Sequence, residues 1–301
     1  MARVTHSFGD HTMFVIAGVT GHTGSVVANT LLAQKLPVRV IVRDAKKGEA
    51  WKAKGAEVAV ADLTDAAALT TAFKGASGVY LLIPPNMGAT DLIANAQKHI
   101  AAYKTALTAN DVPHVVFLSS IAAHLNKGTG PIISVHTVEQ QLSAPKTHFT
   151  WLRPGYFMEN LLGSLAPMKS DGVLPSFFGV ATPVNMVATP DIGAEAAALL
   201  RQGKTAPKVV ELGSPYSLND VAAAFGTALS RTIKTAPIPP EAQVATLKSF
   251  GLPEVWAGAY AEMNRAVDSG LLKSETAAKP GLISLTAFAT SAASAPATAG
   301  H

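Results

Sequence analysis

Three glycines between an apolar strand and a helix constrain the fold of this chain more than any other feature. Gly18, Gly21 and Gly24 have the spacing GxxGxxG in the segment FVIAGVTGHTGSVVANTLLAQ, residues 14–34. The first allows a tight exit from the strand, the second lets a ligand approach the backbone, and the third lets the helix pack closely on the strand. Free N–H groups at the helix start favour an anion. The segment predicts a dinucleotide-binding turn with the pyrophosphate over residues 18–24, rather than a glycine-rich turn without a ligand.

Strand and helix signals alternate over the first half of the chain. Apolar strand segments follow the first one at residues 38–43, 58–63, 79–85, 114–120 and 149–157. An Ala-rich stretch without Gly or Pro, residues 91–110, predicts a long crossover helix. Because the strands are apolar on both faces, we expect them to be buried between two helical layers. The pattern predicts an α/β protein with a Rossmann doubly wound parallel sheet.

The alternation fades after residue 157, where prolines become frequent. Local signals remain, with predicted helices from residues 190 and 217 and a short strand at 208–212. We therefore expect an NAD(P)-binding Rossmann domain at residues 13–157 and a smaller C-terminal α+β substrate-binding part at 158–286 that completes the fold. A polar N-terminal extension at 1–12 and a disordered tail at 287–301, rich in small residues, are expected to flank them.

Composition narrows the function classes. The 301 residues are 48% hydrophobic and carry a formal net charge of +4, with Lys and Arg scattered along the chain. We therefore expect a globular protein that takes a small molecule and has no nucleic-acid partner. The absence of an apolar run of about eighteen residues predicts no membrane association. The chain has no cysteine, which fits a cytoplasmic location, and no metal site is predicted. A homodimer is the assembly to test.

The end of the second strand bears on which nucleotide is bound. Arg43 stands there, and its guanidinium suits a 2′-phosphate, with Lys46 and Lys47 following. Asp44 is an alternative partner for a ribose hydroxyl. A purely structural Arg43 at the strand end is a further alternative. The residues favour NADP (NADPH) over NAD.

Several motifs together carry a family resemblance. GVTGHTG at 18–24, Arg43, ADL at 61–63, VVFLSS at 115–120 and above all WLRPGYFMEN at 151–160 resemble the NmrA-like branch of the atypical short-chain dehydrogenases/reductases. That branch includes NAD(P)H azoreductase-like and quinone-reductase-like members. The likeness spans residues 13–290. It implies a Rossmann domain, a small C-terminal substrate domain, and NADPH or NADH bound across the strand ends.

Candidate site residues follow from the turn and the carboxyl ends of the strands, where ligands of doubly wound sheets collect. Asp62 is expected to meet the adenine by a hydrogen bond and Leu63 by contact, with helix capping as an alternative for Asp62. The full cofactor set is Gly18, Thr20, Gly21, His22, Thr23, Gly24, Arg43, Asp62, Leu63, Ile83, Pro84, Ser119 and Phe157. For the substrate we expect contacts with Pro85, Tyr156 and Asn160.

The expected chemistry departs from that of many short-chain dehydrogenases, which use a Tyr-x-x-x-Lys pair. No Lys lies four residues after any of the tyrosines Tyr80, Tyr103, Tyr156, Tyr216 and Tyr260. Where the pair would stand, the chain has His136 and Gln140. Candidate catalytic residues are His136, Ser120 and Tyr156, with a structural role as the alternative for His136 and capping for the serines.

Hydride transfer to a quinone, an azo bond or a related unsaturated acceptor depends more on how the acceptor is positioned than on a strong acid. Such a reaction suits a site without a Tyr/Lys pair. The sequence therefore predicts an NAD(P)H-dependent reductase of such an acceptor. The alternative is an NAD(P)-binding redox sensor of NmrA type without turnover.

Overall fold

A computed structural model describes residues 12–295 of the chain. The strands there are β1 Met13–Ile16, β2 Val38–Val42, β3 Glu57–Val60, β4 Ala76–Leu81, β5 His114–Leu118, β6 His148–Pro154, β7 Tyr156–Phe157, β8 Val173–Ser176, β9 Val184–Val187, β10 Val209–Leu212, β11 Ser214–Tyr216 and β12 Lys234–Pro237. The α-helices are α1 His22–Ala33, α2 Ala45–Ala53, α3 Ala66–Ala72, α4 Leu92–Ala109, α5 Ile133–Gln141, α6 Leu165–Ser170, α7 Thr189–Gln202, α8 Leu218–Ala228, α9 Gln243–Ser249, α10 Glu254–Asp268 and α11 Leu285–Ser294.

A seven-stranded parallel sheet forms the centre, in the order β10-β6-β5-β4-β1-β2-β3. The chain proceeds outward from β1 to β3, then returns to β4 on the other side of β1. This reversal creates a switch point between the carboxyl ends of β1 and β4, where doubly wound sheets bind ligands. The predicted Rossmann class is confirmed.

Two apolar layers cover the sheet. One contains β-strand residues such as Val15 and Phe117 with residues of α3, α4 and α5, including Tyr103. The other contains Ile16 and Val116 with residues of α1, α2 and α7. The layers form because successive strand residues point to opposite faces, and these strands are apolar at both.

The C-terminal part does not begin cleanly after residue 157. Helix α7 packs against α1, and β10 pairs with β6 as the seventh strand of the central sheet. The later chain thus returns to the Rossmann layers before it forms two small sheets, β11-β9-β7 and β12-β8. A separate cluster that includes Met168, Val221 and Phe225 supports these small sheets.

The end of the chain also differs from expectation. In place of disorder from residue 287, α11 is capped by Ser284 and packs against α8. Leu285, Ala289 and Ala292 recur at helical spacing and are buried, because small side chains allow the two helices to approach closely. Residues 1–11 and 296–301, which hold nearly all of the expected extension and the end of the expected tail, lie outside the described residues.

The helix predicted from residue 217 is confirmed as α8, whose capping box joins Ser217 and Asp220. Within residues 12–295, none of the helices combines the length and apolar character that crossing a bilayer requires.

Candidate active site

The three glycines of the first turn have different physical roles. Gly18 has φ +67°, and a Cβ there would lie 2.6 Å from the Leu82 side chain. A Cβ on Gly24 would lie 2.5 Å from the Gly18 carbonyl oxygen. At Gly21 the nearest atom is that same oxygen, at an ordinary 3.4 Å. The fold therefore requires glycine at positions 18 and 24, whereas at Gly21 the protein leaves the space open.

Helix α1 begins directly after this open position. Gly21 is its N-cap and supplies no side-chain hydrogen bond, so the first N–H groups of the helix remain available to an anion. His22 and Thr20 are exposed beside it. Thr23 differs from expectation, because its side chain is buried and its Oγ1 lies 3.0 Å from the donating hydroxyl of Tyr80. Only the backbone of Thr23 can therefore serve the turn.

A cavity of about 390 Å³ opens beyond the carboxyl ends of β1, β2, β3 and β4. Seven of the residues expected at the cofactor or substrate lie together here: Gly18, Thr20, Arg43, Asp62, Leu63, Pro84 and Pro85. The rest of its wall comprises Ile41, Val42, Ala61, Thr64, Asn86, Asn95, Lys98 and His99. The volume and the mixed apolar and charged wall fit an adenosine group.

The acidic residues near this cavity have different roles. Asp44 caps α2 by accepting a hydrogen bond from the N–H of Lys46 at 2.9 Å, which leaves Arg43 as the charged group at the strand end. Asp62 Oδ1 accepts hydrogen bonds from the N–H and the hydroxyl of Thr64, and these bonds lower the pKa of the Asp62 carboxyl. Asp65, not Asp62, caps α3. The Oδ2 atom of Asp62 thus stays available.

Tyr156 and Phe157 point to different parts of the molecule. They form the short strand β7, in which consecutive side chains alternate. Tyr156 packs against the C-terminal cluster and Phe157 against the central sheet. The cofactor contact expected of Phe157 and the substrate contact expected of Tyr156 would therefore come from opposite faces of this strand. Asn160 is exposed in the 3₁₀-helix Met158–Ser164.

An aromatic group from α10 accompanies Tyr156. Burial, followed by the nearby Tyr260 hydroxyl, raises the pKa of Tyr156 to about 12, and burial raises the pKa of Tyr260 as well. The ring of Tyr260 lies 6.1 Å from that of Trp256. The indole N–H of Trp256 donates to the carbonyl oxygen of Asn86 at 3.0 Å. Helix α10 is therefore tied to the loop after β4 that lines the cavity.

The two serines after β5 have committed hydroxyl protons. Ser119 is buried and donates to Glu139 Oε1 at 2.5 Å, while Ser120 donates to the carbonyl oxygen of Ile121 at 2.9 Å. Neither serine is a helix cap, which corrects the alternative suggested for them. Ile83, expected at the cofactor, packs against the core layer of α3, α4 and α5. In this structure both serine hydroxyls therefore donate within the protein, and Ile83 is part of the core packing.

Glu139 belongs to a buried charge cluster around Arg153. The guanidinium contacts Glu139 at 2.5 Å and Glu275 at 2.6 Å, with Glu211 3.8 Å away. Glu139 lies on α5, one turn after His136, so the cluster fixes the helix that carries the candidate proton donor. These charges were not predicted as a cluster from the sequence, because their contacts join segments far apart in the chain.

His136 is half-buried, and its Nδ1 lies 2.8 Å from the carbonyl oxygen of Ala123. A carbonyl oxygen only accepts, so Nδ1 holds the proton and Nε2 is the remaining functional atom of the ring.

Trp256, Asn95, Lys98 and His99 were not predicted from the sequence, and Tyr260 was considered only as a tyrosine without a Lys four positions later. Lys98 and His99 lie on the predicted crossover helix. They are polar residues in its first half, which follows the end of β4, and this position could have marked them as candidates. Trp256 carried no such signal, since its partner Asn86 is 170 residues away.

A glycine turn at the switch point of a doubly wound parallel sheet, with a cavity beyond the strand ends, defines a Rossmann-type dinucleotide-binding fold. A model of the NmrA-like family matches residues 10–277. The chain therefore belongs to the NmrA-like family, which confirms the resemblance.

Individual proteins agree with this assignment. The NAD(P)H azoreductase of Xenophilus azovorans is 28% identical over 253 residues, which are 83% of this chain and 86% of that protein. Quinone oxidoreductase 2 of Escherichia coli strain K12 is 27% identical over 266 residues, 86% of this chain and 89% of that protein. A crystal structure of an NADPH-dependent quinone oxidoreductase from Escherichia coli has a TM-score of 0.76 and 25% identity, and covers 93% of this chain and 99% of that chain.

Proposed function

We propose that this protein is an NAD(P)H-dependent oxidoreductase that transfers hydride to a small unsaturated acceptor such as a quinone, an azo compound or a related molecule. One structural relationship carries the proposal. Asn86 lines the nucleotide cavity and also accepts the hydrogen bond from Trp256. The aromatic residues of α10 are thereby held against the loop after β4, where a flat acceptor would stack beyond the adenosine cavity, toward the nicotinamide. The azoreductase and quinone oxidoreductase relatives support the same reaction class.

The cofactor side fits NADPH. Gly21 leaves open space at the start of α1, where a pyrophosphate would receive the free N–H groups. Arg43 is exposed at the cavity, with no hydrogen-bond or ion-pair partner within residues 12–295, and we assign it to the 2′-phosphate. Lys98 adds a second positive charge to the same wall. Phe157, packed on the sheet, and Pro84 would bound the space toward the nicotinamide.

When bound, the reduced nicotinamide supplies a hydride. The chain has to hold the acceptor and deliver a proton. The Tyr156 hydroxyl is protonated at neutral pH and burial raises its pKa further, so we assign it as a hydrogen-bond donor to an acceptor oxygen or nitrogen. His136 can give up a proton from Nε2 only in its imidazolium form, because the Nδ1 proton is held by Ala123. Pro85 and Asn160, both exposed, are proposed at the mouth of the acceptor site.

The proposal is tested by NADPH oxidation with the purified protein across benzoquinones, naphthoquinones and azo dyes, monitored at the nicotinamide absorbance, alongside NADPH binding by calorimetry. We expect binding and turnover of at least one acceptor class. Binding without turnover of any acceptor would instead favour the redox-sensor alternative. Absence of binding would overturn both. The measured mass in solution tests the proposed homodimer.

A further inference from the structure

A second cavity, of about 800 Å³, shares no wall residue with the nucleotide cavity. It is a groove open to solvent between α8 on one side and, on the other, the turn after α8 and the start of β12. We call it the α8–β12 groove. The residues that matter for its chemistry are Asn219, Ala223, Gly226, Arg231, Lys234 and Thr235. The reaction proposed above gives this groove no role.

The strand side of the α8–β12 groove is an open sheet edge. In the part of the chain that the structure describes, β12 pairs with β8 alone. The N–H of Lys234 donates toward β8, to the carbonyl oxygen of Gly172 at 2.8 Å. Neighbouring residues of a strand present their N–H and C=O groups to opposite edges, so those of Thr235 point away from β8. Thr235 lines the groove, and its backbone groups are therefore available to a further strand.

The helix side leaves room beside this edge. Helix α8 contributes small residues to the groove at helical spacing, among them Ala223 and Gly226. A Cβ on Gly226 would lie 3.1 Å from the carbonyl oxygen of Arg231 and 3.9 Å from the backbone nitrogen of Ile233, so the helix runs close beside the chain that enters β12. An open strand edge with space for side chains beside it is what an extended peptide needs in order to add as a strand.

The charged residues of the groove are all positive. Arg231 and Lys234 are both exposed, and no Asp or Glu within residues 12–295 lines the groove. The guanidinium of Arg231 is held in place, because its Nη1 donates to the carbonyl oxygen of Ser170 at 3.3 Å. A cationic groove favours a partner with negative charge. Pairing of β12 with the same edge of a second copy would bring like charges together, which disfavours that occupant.

We propose that the α8–β12 groove binds an acidic segment of another protein, which adds in extended form to the free edge of β12. The backbone of the segment exchanges hydrogen bonds with Thr235, and its acidic side chains pair with Lys234 and Arg231. Pro237 has no N–H, so the edge is short and takes a segment of only a few residues. The site is separate from the proposed oxidoreductase activity and does not depend on it.

The test is fluorescence anisotropy of the full chain with the labelled peptide acetyl-Glu-Thr-Glu-Val-Glu-amide. Two control peptides separate charge from strand pairing. The Lys-Thr-Lys-Val-Lys counterpart reverses the charge, and a version of the acidic peptide that is N-methylated at every internal residue cannot donate from those residues. We expect the acidic peptide to bind about tenfold or more tightly than either control. Hydrogen–deuterium exchange at the Thr235 amide should slow in the complex.

Two groove variants and one control locate the site. Ala223→Tyr fills the groove at an exposed position of α8 and should weaken binding of the acidic peptide about tenfold or more. Lys234→Glu should shift the preference toward the basic peptide. Lys204→Glu, an exposed charge outside the groove, is the matched control and should retain the wild-type affinity. All three variants should keep the melting temperature and the NADPH affinity of the wild type.

Several results would overturn the proposal. These are no binding of the acidic peptide by the wild type, equal binding of its N-methylated version, unchanged affinity in either groove variant, or an equal loss in Lys204→Glu. Self-association that competes with the peptide would assign the groove to a second copy of the chain. None of these outcomes would affect the test of NADPH oxidation, so the two proposals fail independently.

Discussion

The Nδ1 atom of His136 lies 2.8 Å from the carbonyl oxygen of Ala123. This hydrogen bond fixes the tautomer of the ring, so the neutral form has no proton at Nε2. A histidine held this way can donate to an acceptor only after it takes up a proton. The proposed catalytic role therefore requires a proton on Nε2, and the hydroxyl protons of the two serines after β5 are donated to partners within the protein.

Replacement of His136 by Ala should lower the turnover of a proton-requiring acceptor about a hundredfold, with NADPH affinity close to that of the wild type. Steady-state kinetics with NADPH and a quinone acceptor, together with the melting temperature of both proteins, check the prediction. Gln140→Ala, exposed on the same helix, is the control. A lower melting temperature with turnover preserved would instead make His136 a structural residue.

The glycine turn gives a paired prediction. Gly21→Val should weaken NADPH binding strongly and leave stability nearly unchanged, because the protein leaves space at this position. Gly24→Ala should lower the free energy of unfolding by about 1–3 kcal/mol, since its Cβ would overlap the Gly18 carbonyl oxygen. Calorimetric binding and chemical denaturation of both variants separate the effects. Unaltered NADPH affinity in Gly21→Val would contradict the pyrophosphate assignment.

Arg43→Ala should reduce the preference for NADPH over NADH by about ten- to a hundredfold, equivalent to a charge-assisted contact of about 1.5–3 kcal/mol. The change should appear in the dissociation constant of NADPH and hardly in that of NADH, because only NADPH carries the 2′-phosphate. Arg201→Ala removes an exposed charge at the end of α7 and is the control for net charge. Equal losses for the two nucleotides would exclude a 2′-phosphate role.

Glu139→Ala should cost about 3–5 kcal/mol of unfolding free energy, because it removes the bidentate partner of the buried Arg153 and leaves that charge incompletely paired. Denaturant titration measures the cost. A loss below about 1 kcal/mol would show that the cluster tolerates the missing carboxylate and does not fix α5.

Glu275 contributes a pH-dependent part of this stability. Its hydrogen bond with Arg153 lowers the pKa of the Glu275 carboxyl in the folded state, so the contribution is present above the ordinary carboxyl range and is lost as the pH falls through the lowered pKa. Glu275→Gln should therefore flatten the acid side of the stability curve. Glu254→Gln, whose carboxylate pairs with Lys248 at the surface, is the control. Identical acid limbs for wild type and Glu275→Gln would contradict the role.

Local sequence was sufficient to identify many of the residues that line the cavity. Seven expected residues meet in one cavity because the carboxyl ends of parallel strands converge on one edge of the sheet. Other members of the expected cofactor set have contacts that local sequence did not predict. Thr23 and Ser119 turn toward buried partners, Tyr80 and Glu139, that no spacing rule identifies. The division of Tyr156 from Phe157 depends on β7 pairing with β9, a contact between distant segments.

The sequence by itself determined the class of fold and the position of the dinucleotide turn, because strand apolarity and the backbone freedom of glycine act over a few residues. Only the tertiary structure decided which polar groups remain free for a ligand. Arg153 and Glu275 are 122 residues apart, and Trp256 and Asn86 are 170 apart. Such hydrogen bonds produce no periodic pattern in the sequence, since each depends on how two elements that are distant in the chain pack against each other.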